Sequence, residues 1–251
     1  MSLLFDPAIL LPLLLFGGAL LYTSVGHAGA SAYLAAMALM NVAPATMRPT
    51  ALVLNIAVAS FSSLRFWRAG LIDFRLLGTL LIGSLPLAFI GGGITLPFAY
   101  YRAIVGAVLI AGAVRLLWPS GDAVPFDASA VARPHPAIAA VTGAFVGLLS
   151  GLTGTGGGIF LSPIMIFSRW IEVRRASGVA VTFILANSFA GLLGNYRSVG
   201  NLPSELPVYL CAVMAGALVG TSLGVRWLAI PGILKALGLV LVIAGAKLIF
   251  S

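Results

Sequence analysis

The chain has 251 residues, of which 61% are hydrophobic and only 8% charged, and its mean hydropathy is +1.12. A soluble domain carries roughly 25% charged residues, so this composition excludes a water-soluble globule and leaves little sequence for one. The net charge of +8 comes without a basic tail or a run of like charge, so it reads as basic residues at helix ends and excludes a nucleic-acid arm.

In chain order, the N-terminal stretch MSLLFDPAILLPLLLFGG lacks a basic leader and carries Asp6, so no cleaved signal peptide is expected. Apolar segments then fall at 8–24, 28–41, 49–66, 74–91 and 99–118. A polar stretch, 119–136, follows with Asp122, Asp127, Arg133 and several prolines, and reads as a surface linker. Further apolar segments lie at 137–152, 157–168, 176–196, 206–225 and 231–250. The predicted fold is an all-α polytopic membrane protein with a membrane repeat at 1–118, a cytoplasmic linker at 119–136 and a second repeat at 137–251. The one cysteine, Cys211, cannot form an intrachain disulfide or by itself a zinc site, and no metal or cofactor is predicted.

The repeat is visible in the residues. GALLYTSVGHAGASAYLAAMALMN (18–41) recurs as FVGLLSGLTGTGGGIFLSPIMIFS (145–168). Each copy is an apolar run, a glycine-rich break and a second, short apolar run. At an offset of about 127 positions Gly29 falls on Gly156, Tyr33 on Phe160, Arg48 on Arg175 and Asn55 on Thr182. Allowing a few inserted residues, Gly70 meets Gly200 and Gly83 meets Gly216. A duplicated apolar chain with a helix break at matching points of its halves is the pattern of a secondary transporter.

The short segments 28–41 and 157–168 fall below the roughly 20 residues that a crossing takes. If each broken unit crosses once, the basic residues divide evenly between the two faces and give no orientation. If it is a hairpin or a double crossing, the repeats are inverted. One face then gathers Arg65, Arg68, Arg75, Arg115, Arg133, Arg169, Arg174, Arg175, Arg226 and Lys235, against Arg48, Arg102, Arg197 and Lys247 on the other. That bias selects inverted repeats, with the linker inside and both termini outside.

An unpaired backbone amide at membrane depth costs several kcal/mol, so a break there needs protein, water or ligand as partner. The segments after the breaks present free N–H groups and a positive dipole end, which together suit an anion. The candidate substrate-binding residues are therefore Gly26, His27 and Gly29 at the first break and Gly154, Thr155, Gly156, Gly157 and Gly158 at the second. Asn55, Thr182 and Asn187 add neutral donors on the following segments. For the glycines the alternative role is close helix packing, and for the amides interhelical hydrogen bonding. His27 is the ionisable residue of the first break and a candidate for carrying a coupled proton, since no Asp or Glu occupies the centre of any segment. Arg48 and Arg175 are candidates for attracting anions at the two mouths, or else interfacial anchors. GTGGG lacks the Lys-Ser/Thr ending of a P-loop, which argues against a nucleotide. Ser31 and His27, four apart on one broken segment, do not make a nucleophile and base, and no enzyme is predicted.

In these same stretches, GLLSGLTGTGGGIFLSPIMIF and RRASGVAVTFILANSFAGLLG above all, the chain resembles the TauE/SafE family of sulfite exporters over essentially its whole length. In the first copy His27, Ala28 and Ala30 stand where the family more often has glycine. The resemblance implies transport of sulfite or a small organosulfonate across the bacterial cytoplasmic membrane, usually as export. The residues by themselves reach a small-anion carrier in a lipid bilayer, with protons as a possible coupling ion. Uptake or exchange of another small anion, or a passive channel, are the alternatives.

Overall fold

The structure is a computed structural model that describes residues 7–24, 26–117, 132–226 and 231–250. Most of the predicted linker, including Asp122 and Asp127, and the side chains of Arg115, Arg226 and Lys235 lie outside the described residues. The described residues form α1 (Pro7–Ser24), α2 (Ala30–Leu39), α3 (Pro44–Arg68), α4 (Phe74–Gly93), α5 (Phe98–Leu117), α6 (Pro136–Thr153), α7 (Gly158–Phe167), α8 (Val173–Gly194), α9 (Leu206–Arg226) and α10 (Pro231–Phe250). A 3-10 turn, Tyr196–Asn201, follows α8. Four of the helices (α3, α4, α6 and α8) are long and apolar enough to cross a membrane by length and composition. The protein is an all-α, multi-pass membrane protein.

Local chemistry sets the boundaries. Asp73 caps α4 by accepting from Arg75 N and Leu76 N at 3.1 and 3.0 Å. Pro136 opens α6 at the first helical position, and Gly154 closes it in the left-handed conformation. Two helices start earlier than the apolar pattern suggests: α3 at Pro44 and not 49, and α8 at Val173 and not 176. In α3 the extended Ala43 and the fixed φ of Pro44 launch the helix, and Pro49 is carried inside it. That extra turn takes Arg48 out of the loop and into the helix.

Large apolar side chains form the core and also cover the outside. Ile82, Val141 and Phe167 are 72%, 70% and 72% exposed, as suits a lipid-facing surface. The interior holds Thr50, Asn55, Ser84, Ser150, Asn187 and Ser188, all fully buried. Helix α2 is buried on every face, from Ala30 to Ala38.

The helices pair across the two halves of the chain. α4 runs parallel to α6, and α1 runs parallel to α9. Glycine makes both contacts possible. A Cβ at Gly143 would lie 2.1 Å from Leu80 O and one at Gly151 would lie 2.2 Å from Ala88 O. On the other pair, a Cβ at Gly216 would lie 2.4 Å from Phe16 O and one at Gly220 would lie 2.2 Å from Leu20 O. Such small-residue seams let helices approach closely and attract through dispersion and carbonyl contacts. α5 packs antiparallel on α10, and α3 packs on α8.

Contacts between helix ends sort them into two groups. In the first, Arg48 at the start of α3 donates to Gly91 O and Gly92 O, both at 2.6 Å, and to Ile94 O at 3.0 Å, at the end of α4. Lys247 near the end of α10 donates to Leu39 O at the end of α2, and Arg102 at the start of α5 donates to Leu248 O. In the second, Arg133 before α6 pairs with Asp73 before α4 at 3.5 Å. Ala132 N donates to Arg169 O just past α7, and Arg65 at the end of α3 donates to Thr221 near the end of α9. The end of α2 thus falls in one group and the end of α7 in the other.

Candidate functional site

The two breaks have nearly the same backbone. Gly26 and Gly154 have φ of 79° and 82°, Gly29 and Gly157 have 101° and 81°, and Asn41 and Arg169, just past α2 and α7, have 57° and 54°. This register sets Gly29 against Gly157 and His27 against Thr155, one position beyond the match by residue identity. The identity match followed GxxxF/Y-like similarity, whereas the geometry follows the left-handed positions that only glycine adopts cheaply. Break two has an additional left-handed residue, Gly156, at 74°.

Neither α2 nor α7 has a side-chain cap at its start. Among the described residues, the N–H groups of Gly156, Gly157, Gly158 and Ile159 have no acceptor. The same holds for those of Ala28, Gly29, Ala30 and Ser31. These are the unpaired donors of two helix N-termini, with the positive dipole ends beside them.

Side chains from both halves meet at the second break. His27, from the first break, has Nε2 at 2.9 Å from Ser162 Oγ of α7, and its Cδ2 would lie 3.6 Å from a Cβ at Gly158. Its ring is edge-on to Tyr22, with centroids 6.4 Å apart. On the other side of the break, a Cβ at Gly156 would lie 2.8 Å from Asn55 Nδ2, 3.2 Å from Ser188 Oγ and 2.7 Å from Ile184 Cγ2. Asn55 is fully buried; its amide reaches Ser188 Oγ only at 3.5 Å and its Oδ1 has no partner. Ser150 Oγ, beside Gly157, is likewise buried and unpartnered. Buried polar groups in this state are costly and call for a ligand or water.

The acidic side chains among the described residues are Asp73, Glu172 and Glu205, and each precedes a helix start, where a negative charge complements the dipole. The break region therefore presents neutral N–H and amide donors with no carboxylate among them, which suits an oxyanion.

Other sequence candidates take different places. Gly26 packs against Ser177 of α8, and Gly154 packs against Arg48 of α3. Thr155 pairs with Thr153 at 2.9 Å. Thr182 turns back to Gly178 O within its own helix, at 2.9 Å. Asn187 donates to Phe183 O at 2.9 Å, while its Oδ1 has no partner. Arg175 is exposed, whereas Arg48 is buried and holds the carbonyls at the end of α4.

Sequence reading missed Ser162, although its place one turn after GTGGG was a usable signal. Tyr101 and Asn195 carried no signal, since only the packing of α5 and α8 against α3 brings them near Arg48. The pentapeptide GTSLG (220–224) has the spacing of a nucleophile elbow. It lies within α9, and Ser222 Oγ donates to Leu218 O, so the strand-to-helix turn of an elbow is absent.

Comparison with known proteins agrees with this architecture. The chain is 35% identical over 248 residues to the probable membrane transporter protein y4hK of Sinorhizobium fredii (strain NBRC 101917 / NGR234), covering 97% of this chain and 98% of that protein. No solved structure matches it significantly. Residues 10–248 match the sulfite exporter TauE/SafE family model. The chain is a membrane transporter and belongs to the TauE/SafE sulfite exporter family.

Proposed function

We propose that this protein is a secondary transporter that exports a small sulfur oxyanion, sulfite or an organosulfonate, across the bacterial inner membrane by alternating access. The observation that carries this reading is the convergence at the second break. Unpaired N–H groups run from Gly156 to Ile159, the underused Asn55 amide lies beside Gly156, and His27 reaches in from the first half beside Gly158. Such donors satisfy the lone pairs of a compact oxyanion, and the adjacent helix end favours its charge.

In this reading the halves 1–118 and 137–251 are inverted repeats joined by a cytoplasmic linker. The sorting of helix ends supports it, because the ends of α2 and α7 make contacts in opposite groups. Rocking of one repeat against the other would then expose the breaks alternately to each side. His27 is the group proposed to carry the coupled proton, with Ser162 as its hydrogen-bond partner.

Counterflow of labelled sulfite in proteoliposomes tests the substrate and the mechanism together. A carrier saturates and shows trans-stimulation by unlabelled sulfite or sulfonate. Linear, non-saturating flux would make the protein a channel, and the absence of sulfite flux would remove the substrate. Single cysteines at Gly121 and Ser251 test the topology and should label from opposite faces of intact cells. Labelling of both from one face would rule out inverted repeats.

A further inference from the structure

Beyond the breaks, a cavity of about 230 Å³ opens between the starts of α3 and α5 and the turn after α8. Its lining includes Pro44, Arg48, Phe98, Tyr101 and Asn195. Arg48 is 6% exposed and Asn195 is 5% exposed. The terminal nitrogens of Arg48 are engaged by the carbonyls of Gly91, Gly92 and Ile94, but its Nε has no acceptor. Asn195 Oδ1 accepts from Ser198 Oγ at 2.8 Å, and Asn195 Nδ2 has no acceptor. Among the described residues no carboxylate pairs with Arg48. Two buried side chains on one cavity thus each lack a hydrogen-bond acceptor, and one of them carries an unbalanced positive charge. Dipoles at the end of α4 offset that charge only in part. A small, negatively charged acceptor would satisfy both.

We propose that this cavity is a second oxyanion subsite, on the route between the second break and the membrane face opposite the linker. It rests on the small-anion reading above and adds a place to it. The cavity abuts the break: Tyr101 Oη donates to Thr153 O at 3.3 Å, and a Cβ at Gly154 would lie 3.1 Å from Arg48 O. A neighbouring cavity of about 370 Å³ shares Pro44 and Phe98 with it and is lined by Arg102 and Lys247. The three cations mark a path that an anion follows inward. At about 30 Å³ per water, the inner cavity holds an oxyanion with part of its hydration shell. The arrangement is one-sided. At the first break the residue packed against Gly26 is Ser177, where Arg48 packs against Gly154. The subsite therefore acts on anions at one face only.

The test uses the full chain, purified and reconstituted, with sulfite as the probe. Asn195→Asp places a carboxylate beside Arg48 and cancels the charge; Asn195→Ala removes the donor alone. Wild type should bind two sulfites per chain by calorimetry, and both variants should lose one. Their KM for sulfite offered at the face opposite the linker should rise about tenfold, with kcat and the KM at the linker face little changed. Thr95→Glu, at an exposed position lining the same cavity, should raise the same one-sided KM without touching the interior. Unaltered stoichiometry and KM in folded Asn195 variants would overturn the subsite. Should those variants fail to fold, an unaltered KM in Thr95→Glu would overturn it. Gly156→Val separates the two ideas. If it leaves binding intact while Asn195→Asp removes one sulfite, the break site is wrong and this subsite stands.

Discussion

The first and second breaks bend the chain in the same way but surround it differently. At the first, Tyr33 Oη donates to Ala28 O and Ser31 Oγ donates to Tyr22 Oη, so local side chains pair with one another and with Ala28 O, while the N–H groups of Ala28 to Ser31 stay unpaired among the described residues. Helix α2 is buried on every side. At the second, Gly156 packs against Asn55, Ser188 and Ile184, Gly157 against Val146, Phe183 and Ser150, and Gly158 against Ile184 with His27 nearby, and both Asn55 Oδ1 and Ser150 Oγ lack partners. On the proposed function, the first break serves as a support that presents His27, and the second takes the ligand. The two breaks thus share a backbone and differ in the side chains around it.

The largest effect that tests this division is expected at Gly156. A valine there must adopt φ near 74° and would meet Ile184 Cγ2 and Asn55 Nδ2 at 2.7 and 2.8 Å. Strain of about 1–3 kcal/mol and occlusion of the N–H groups should abolish sulfite binding at this break. The protein should still reach the membrane, as surface expression would report. Normal binding in Gly156→Val would return this glycine to a packing role and end the distinction between the breaks.

His27→Gln comes next. Glutamine keeps a donor and acceptor for Ser162 but cannot titrate. Sulfite binding should persist, within about threefold, while acceleration of flux by an imposed pH gradient disappears. Ser162 and Tyr22 beside it are not proton carriers near neutral pH. Retained gradient dependence would make His27 a fixed donor.

Tyr33→Phe probes the supporting break. It leaves Ala28 O without its partner in a fully buried position, so stability should fall by about 1–3 kcal/mol. Thermal denaturation in detergent should show the loss, with sulfite KM nearly unchanged in protein that remains folded. A large KM change would mean that the first break binds substrate directly. The smallest effect is expected at Arg175. Being exposed, it is screened by salt, and Arg175→Ala should change KM by less than about twofold.

Much of the fold was legible because membrane helices announce themselves. Long apolar runs separated by short polar or glycine-bearing stretches matched the ten α-helices of the described residues, since a chain in lipid must pair its backbone within each segment. The start of α3 was misjudged because Arg48-Pro49 looks like a boundary, yet proline within the first turns of a helix sacrifices little hydrogen bonding. The extra turn puts Arg48 inside α3, with its guanidinium on the carbonyls at the end of α4. The glycines of the second break were legible from their spacing and left-handed demand. The contacts of His27 with Ser162 and of Gly156 with Asn55 were not, because they depend on how α1, α3, α7 and α8 cross between halves. Matching glycines by residue identity also missed the backbone register by one position, as Gly29 and Gly157 reveal.

The central claim, that a small oxyanion is held at the second break, is open to direct view. Selenite is the heavier analogue of sulfite, and Cys211→Ser protein removes the exposed thiol that would react with it. Anomalous diffraction from such crystals, at a selenite concentration that saturates inhibition of sulfite flux, should place a peak within hydrogen-bonding distance of the Gly156–Gly158 N–H groups and the Asn55 amide. A saturating anion with no peak at that break, or a peak only elsewhere, would contradict the account.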